Sequence, residues 1–323
     1  MRVLVAGATG YMGAAVLREL VARRVDVVAL VRPGRLLPEA LRSVVTVVEA
    51  DVVEDADWSE HIPAFDVVIS CLASRSGAPD DAQKVDYEAN RRLLACAERH
   101  HIRHFVLLSA ICVQRPRLAF QREKLRFERL LHDSAVPSTI VRATAFFRSL
   151  VGQIDRVKAG KPFLLFGNGE LTACKPISDS DLARFIVNQL DEHREGTVVR
   201  PIGGPGPAIA PAAQAVMLCN AANVPLKTRS LPPQMFDWFR WLLMPLALVS
   251  PGFAKRVEFL RIAKFYATES MLCWDHDNQR YDADGTPEFG TDTLAAFYRR
   301  VLSGSESAPE PVSYTHLTLP TTD

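Results

Sequence analysis

The chain has 323 residues, 48% hydrophobic and 23% charged, with a formal net charge of +1. That composition fits a soluble globular protein with a large core, built as one α/β domain with an appended lobe or as two domains. Near-neutral charge excludes bulk phosphate binding, so no nucleic acid is expected as a partner.

The first apolar run is residues 2–6, at the very start of the chain. With no leader ahead of it, the chain is expected either to stay where it is made, in a bacterial cytoplasm and in solution or attached to a membrane surface, or to lack its targeting segment. Gly7-Ala-Thr9-Gly10-Tyr11-Met12-Gly13 follows at once and opens a helix. The glycine spacing supplies a tight turn, close backbone approach to a diphosphate, and close packing of helix on strand. The helix N-terminus offers the positive end of its dipole to the phosphates. Gly7, Thr9, Gly10, Tyr11, Met12 and Gly13 are therefore candidate dinucleotide contacts.

Further apolar runs at 26–31, 44–48, 66–72, 105–109 and 138–142 lack strict alternation, as strands buried on both faces should. Strands alternating with helices predict a doubly wound parallel sheet, the Rossmann arrangement, with a cofactor core over 1–150. The second run ends in Val31-Arg32-Pro-Gly-Arg35 without a carboxylate. An acidic residue there would bind ribose hydroxyls and select NAD, whereas Arg32 and Arg35 suit a 2′-phosphate and point to NADPH. Asp51 is placed to meet the adenine edge, and Ser70, Leu72 and Ala73 to line the ribose and diphosphate.

The three histidines at 100, 101 and 104 fall where a helix should end, so favourable charge at a helix C-terminus explains them better than a metal. The six cysteines (71, 96, 112, 174, 219 and 273) show no Cys-x-x-Cys pair and are read as reduced thiols. No metal site is expected.

Beyond 146 the pattern loosens. Residues 163–169 read as a strand and turn, 178–181 as the N-cap of a helix reaching about 191, and 203–211 as a loop. Over 151–302 the remaining core elements and a smaller, mostly helical substrate lobe are expected. Within it, 235–254 is apolar and aromatic but too short to span a bilayer, which needs about 20 residues. It suits a packed helix, a wall for a large apolar ligand, or a surface touching a membrane. Residues 303–323 are expected to be disordered or non-native, since 313–323 bears no relation to the preceding composition.

The block Leu107-Leu-Ser109-Ala-Ile-Cys112-Val-Gln114-Arg-Pro, followed by Phe120-Gln-Arg-Glu-Lys124, resembles a short-chain dehydrogenase active site. That family carries a serine at a strand end and Tyr-x-x-x-Lys on the next helix. Here Phe120 stands at the tyrosine position while Lys124 is kept. Together with Arg142-Ala-Thr-Ala-Phe146-Phe147, and with blocks at 265–272 and 281–294, the chain is similar to the NADPH-dependent divinyl chlorophyllide a 8-vinyl-reductases. The resemblance covers essentially residues 1–302.

That resemblance implies reduction of the 8-vinyl group of a divinyl Mg-tetrapyrrole to ethyl in chlorophyll or bacteriochlorophyll synthesis. A vinyl group has no oxygen to protonate, so a tyrosine acid has no task there. It implies catalytic roles for Lys124, at the nicotinamide ribose, and Ser109. It also implies macrocycle contacts for Cys112, Gln114, Phe120, Phe146 and Phe147. The alternatives are an isoflavone- or quinone-reductase-like enzyme on another planar apolar substrate, and a non-catalytic NADPH-binding regulator.

Overall fold

The computed structural model describes residues 1–60, 62–191, 195–247 and 250–307. In chain order these form β1 (Arg2–Ala6), α1 (Tyr11–Ala22), β2 (Asp26–Val31), α2 (Glu39–Arg42), β3 (Thr46–Glu49) and β4 (Val67–Ser70). Then come α3 (Pro79–Ala82), a π-helical segment (Gln83–Ala89), α4 (Asn90–Arg99), β5 (His104–Ala110), α5 (Ala119–Asp133) and β6 (Ser138–Ala143). The chain continues as α6 (Ile154–Lys158), β7 (Phe163–Phe166), α7 (Asp179–Asn188), β8 (Thr197–Ile202), α8 (Pro211–Ala221) and β9 (Thr228–Leu231). It closes with α9 (Met235–Ala247), α10 (Pro251–Thr268), β10 (Cys273–Asp275), β11 (Arg280–Asp282) and α11 (Leu294–Leu302). The terminal stretch 308–323 lies outside the described residues.

Two compact units share the chain. The first takes 1–75, 79–143 and 179–202; the second takes 76–78, 144–178 and the chain from 203 on. Residues 179–202, beyond residue 150, belong to the core unit. In the first unit seven parallel strands lie in the order β3-β2-β1-β4-β5-β6-β8. Strands β1, β4 and β5 are buried along nearly their whole length, which explains their unbroken Val, Ile and Leu runs. The six expected strands are present with ends shifted by a few residues. The seventh, β8, was not anticipated.

One hydrophobic face of this sheet packs Leu4, Val28, Val68 and Leu107 against Leu93 and Ala97 of α4 and Phe127 and Leu131 of α5. The order of strand addition reverses between β1 and β4, which puts the crevice of a doubly wound sheet at their carboxyl ends.

The second unit is mostly helical, with two small sheets, β7-β9 and β10-β11. Its core gathers Phe147, Ile154, Phe163, Leu218 and Phe297. The β10-β11 hairpin is anchored where the Tyr281 hydroxyl donates to the buried Glu269 carboxylate at 2.6 Å. Lys175, also buried, reaches Glu288 at 3.0 Å. Among the described residues, no helix is long and apolar enough to cross a membrane.

Candidate dinucleotide-binding and active site

The buried β1 delivers the chain into Gly7, whose φ of +79° suits glycine. A Cβ at Gly13 would lie 2.0 Å from the Gly7 carbonyl oxygen, so α1 can settle on the turn only with glycine there. Gly10 caps α1 with no side chain on the first-turn amides, leaving that end shaped for an anion. Thr9 and Gly10 are exposed at the turn, Tyr11 is half-buried, and Met12 is buried beneath it. These features fit a dinucleotide diphosphate.

Arg32 and Arg35 are exposed on a turn just past β2, closed by the Arg35 amide donating to the Arg32 carbonyl at 3.0 Å. Glu49, at the end of β3, supports that turn by accepting from the Gly34 amide at 3.1 Å. Asp51 turns its carboxylate onto its own loop, accepting from the amides of Val53 at 2.8 Å and Glu54 at 3.2 Å. Its side chain is thus engaged in shaping the loop.

Behind β4 the sequence builds something that motif reading missed. Ser70 is fully buried and donates to the Asn90 side-chain oxygen at 2.5 Å. The Asn90 amide donates in turn to the carbonyls of Val85 and Asp86, inside the π-helical segment. Such wide turns break the regular helix ladder and recur at functional sites. This one presents Asp86, buried, with Oδ1 2.9 Å from Lys124 Nζ on α5. The Ser74 amide donates to the same Oδ1 at 3.3 Å, tying in the loop that carries Leu72 and Ala73. Asp86 Oδ2 is buried and has no hydrogen-bond partner among the described residues. A bound hydroxyl donor would satisfy it.

Ser109 is placed differently from Lys124. Its hydroxyl donates to Glu128 Oε1 at 2.5 Å, and the Glu128 carboxylate also accepts from the Arg142 guanidinium, with Nε 3.1 Å from Oε2. This triad, with Ser109 and Glu128 buried and Arg142 half-buried, joins β5, α5 and β6, so Ser109 serves the packing of the sheet in the first instance. Cys112 is buried on the 3-10 turn after β5, and burial pushes its thiol up to about 11. Burial likewise pushes Cys71 up to about 12, against the pull of the Lys124 charge. Gln114 is half-buried and donates to the Ile111 carbonyl at 2.7 Å. Phe120 is half-buried on the first turn of α5, one turn before Lys124.

Of the two second-unit residues expected near the macrocycle, Phe146 is half-buried and pairs with Ile177 in a β-bridge. Phe147 is a core residue, almost fully buried, with its ring 5.2 Å from that of Phe297. Its aromatic bulk is explained by packing.

The family model for NAD(P)H-binding proteins matches residues 7–193. A rice (Oryza sativa subsp. indica) protein, "Divinyl chlorophyllide a 8-vinyl-reductase, chloroplastic", is 44% identical over 93% of this chain and 78% of its own length. The chain belongs to the divinyl chlorophyllide a 8-vinyl-reductase family. The identity runs across both units, so membership in this vinyl-reductase family does not rest on the glycine turn alone. The rice relative of this vinyl-reductase chain is a chloroplast protein, which corrects the expectation of a bacterial cytoplasmic setting.

Similarity of this family member to the photosystem II assembly factor Ycf39 of Guillardia theta is lower, 25% identical over 75% of this chain and 77% of that one. Among solved structures, a nucleoside-diphosphate-sugar epimerase from Staphylococcus aureus superposes with a TM-score of 0.67. It covers 93% of this chain and all of that one at 16% identity, and so shares the fold with the vinyl-reductase chain.

Proposed function

We propose that this protein reduces the 8-vinyl group of a divinyl chlorophyllide or protochlorophyllide to ethyl, with NADPH as reductant. The observation that carries the reading is the identity to a named vinyl reductase across both units, at 44%. It is supported by a site that keeps its lysine and has phenylalanine in place of an acid.

NADPH, when bound, supplies the hydride. The backbone of Gly7 to Gly13 and the α1 N-terminus bind its diphosphate. Arg32 and Arg35 pair with the 2′-phosphate through charge-assisted hydrogen bonds. Lys124 Nζ would donate to a nicotinamide ribose hydroxyl, and Asp86 Oδ2 would accept from one.

Phe120 offers no proton, and none is needed at an oxygen. The charge that develops during reduction is delocalised into the conjugated macrocycle, and the proton comes from solvent or a neighbouring group. Half-buried Phe120 supplies an aromatic face for the planar substrate. Gln114 is a further substrate contact in this reading. Cys112, being buried, shapes the wall behind them, and Ser109 acts through Glu128.

Anaerobic incubation with NADPH and divinyl chlorophyllide a tests this directly. The expected product has gained two hydrogens at the 8-vinyl group. Tight NADPH binding with no turnover would move the reading to a non-catalytic NADPH-binding regulator. For the cofactor, Arg32→Glu is expected to raise the NADPH KM and to leave the NADH KM unchanged or lower. Equal effects on both would refute the 2′-phosphate assignment.

A further inference from the structure

Helix α9 buries one side and leaves the other bare. Phe236 packs against Ala263 and Ala267 of α10, while the opposite face exposes Trp238, Phe239, Trp241, Leu242, Pro245 and Leu246. Trp241 is 80% exposed, Leu242 67% and Trp238 65%. With about 100° of rotation per residue, these six fall in one sector of the helix that carries no charged side chain. An exposed apolar patch of this kind on an otherwise well-packed unit marks a contact surface.

The charges around the patch say what covers it. From 235 to 268 the two helices carry five cations (Arg240, Lys255, Arg256, Arg261 and Lys264) and two carboxylates (Asp237 and Glu258). Neither carboxylate is left to repel an anionic surface. Asp237 is held by Lys264 and faces Arg240, and Glu258 is buried with Arg261 at 3.1 Å. The Asp237–Lys264 pair joins the start of α9 to the end of α10, so the first turns of α10 lie beside the last turns of α9. Lys255 and Arg256 are exposed there.

We propose that the α9–α10 hairpin docks on an anionic lipid surface. The α9 face enters the headgroup–acyl boundary, and Lys255 and Arg256 pair with lipid phosphates. The 13 residues of α9 are about 20 Å long, so the helix lies in the plane of the interface. Tryptophans are the side chains that favour this boundary, with an apolar ring and one polar N–H. This inference stands on the hairpin's geometry and holds whichever substrate the protein reduces.

The test is flotation of the full chain with phosphatidylcholine vesicles, with and without phosphatidylglycerol. The protein is expected to float with the anionic vesicles, less so at high salt. Its tryptophan emission should be quenched by brominated acyl chains. The triple variant Trp238→Ser, Trp241→Ser, Leu242→Ser is expected to lower partition at least about tenfold and to abolish that quenching. The pair Lys255→Glu, Arg256→Glu should lower it by roughly tenfold and remove the salt dependence. Circular dichroism and NADPH titration of each variant confirm that the fold is kept. Absence of flotation by the parent protein overturns the proposal, as does flotation that the variants leave unchanged. So does a lipid-free dimer, seen by light scattering, that the triple variant dissolves, because the face would then be covered by a second copy.

Discussion

Lys124 Nζ and Asp86 Oδ1 are 2.9 Å apart, and both side chains are buried. An ammonium removed from water needs such a partner, and the partner comes from the π-helical segment rather than from α5 itself. The lysine of the active-site motif is therefore positioned by a residue 38 places earlier in the chain.

Asp86→Ala leaves the Lys124 charge buried and unpaired. Loss of one member of a buried pair costs about 3–5 kcal/mol, which urea unfolding would read. Asp86→Asn keeps the shape and removes the charge. It is expected to fold and to lower kcat/KM for NADPH roughly tenfold to a hundredfold, the worth of a hydrogen bond to a charged group. Unchanged kinetics in Asp86→Asn would remove Asp86 from the cofactor site.

Ser109→Ala separates structure from chemistry. Since the hydroxyl is engaged with Glu128 inside the sheet packing, the expected loss is about 1–3 kcal/mol of stability. The kcat should stay within about threefold of the parent, well short of the hundredfold or greater loss typical of a missing proton-transfer group. A fall in kcat of that size, at unchanged stability, would restore Ser109 as a catalytic residue.

Phe120→Tyr supplies the hydroxyl that carbonyl-reducing relatives of the fold use. Vinyl reduction leaves no oxygen to protonate, so the variant is expected to show no gain in kcat and a similar or higher KM for pigment. A rise in kcat of about tenfold or more would mean that proton delivery at this position limits the parent enzyme.

Cys112 gives a pH signature. Its thiol, pushed up to about 11 by burial, stays protonated at neutral pH and is expected to resist alkylation in the folded protein while reacting once urea unfolds it. A group raised in the folded state stabilises fully below its unfolded value, near 8.5, and that contribution is lost as pH climbs toward 11. Stability should therefore fall above pH of about 9, and less steeply in Cys112→Ala. Fast alkylation of native Cys112 at pH of about 7 would contradict the burial.

What the sequence made legible follows from locality. The glycine turn, the buried strands and the Phe120–Lys124 spacing each lie within one short stretch, where periodicity and motif report directly on structure. β8 escaped because Thr197-Val-Val-Arg-Pro-Ile202 is half-exposed and contains Pro201, which a strand tolerates at a sheet edge. Asp86 escaped because a π-helical turn has no periodicity of its own to read, and its partner lies on another helix. Phe147 looked like its neighbour Phe146 in sequence, and only packing distinguishes a core ring from a half-buried one.

The return of α7 and β8 to the first unit has a consequence for dissection and for biosynthesis. A fragment ending near residue 150 would lack its terminal strand and leave the backbone of β6 open along one side, inviting pairing with other chains. During synthesis the sheet stays incomplete while 35 residues of the second unit, 144–178, are made. A nascent-chain or limited-proteolysis study should accordingly find no stable cofactor-binding intermediate until residue 202 has emerged, and a minimal nucleotide-binding piece would have to be engineered by splicing 179–202 back onto β6.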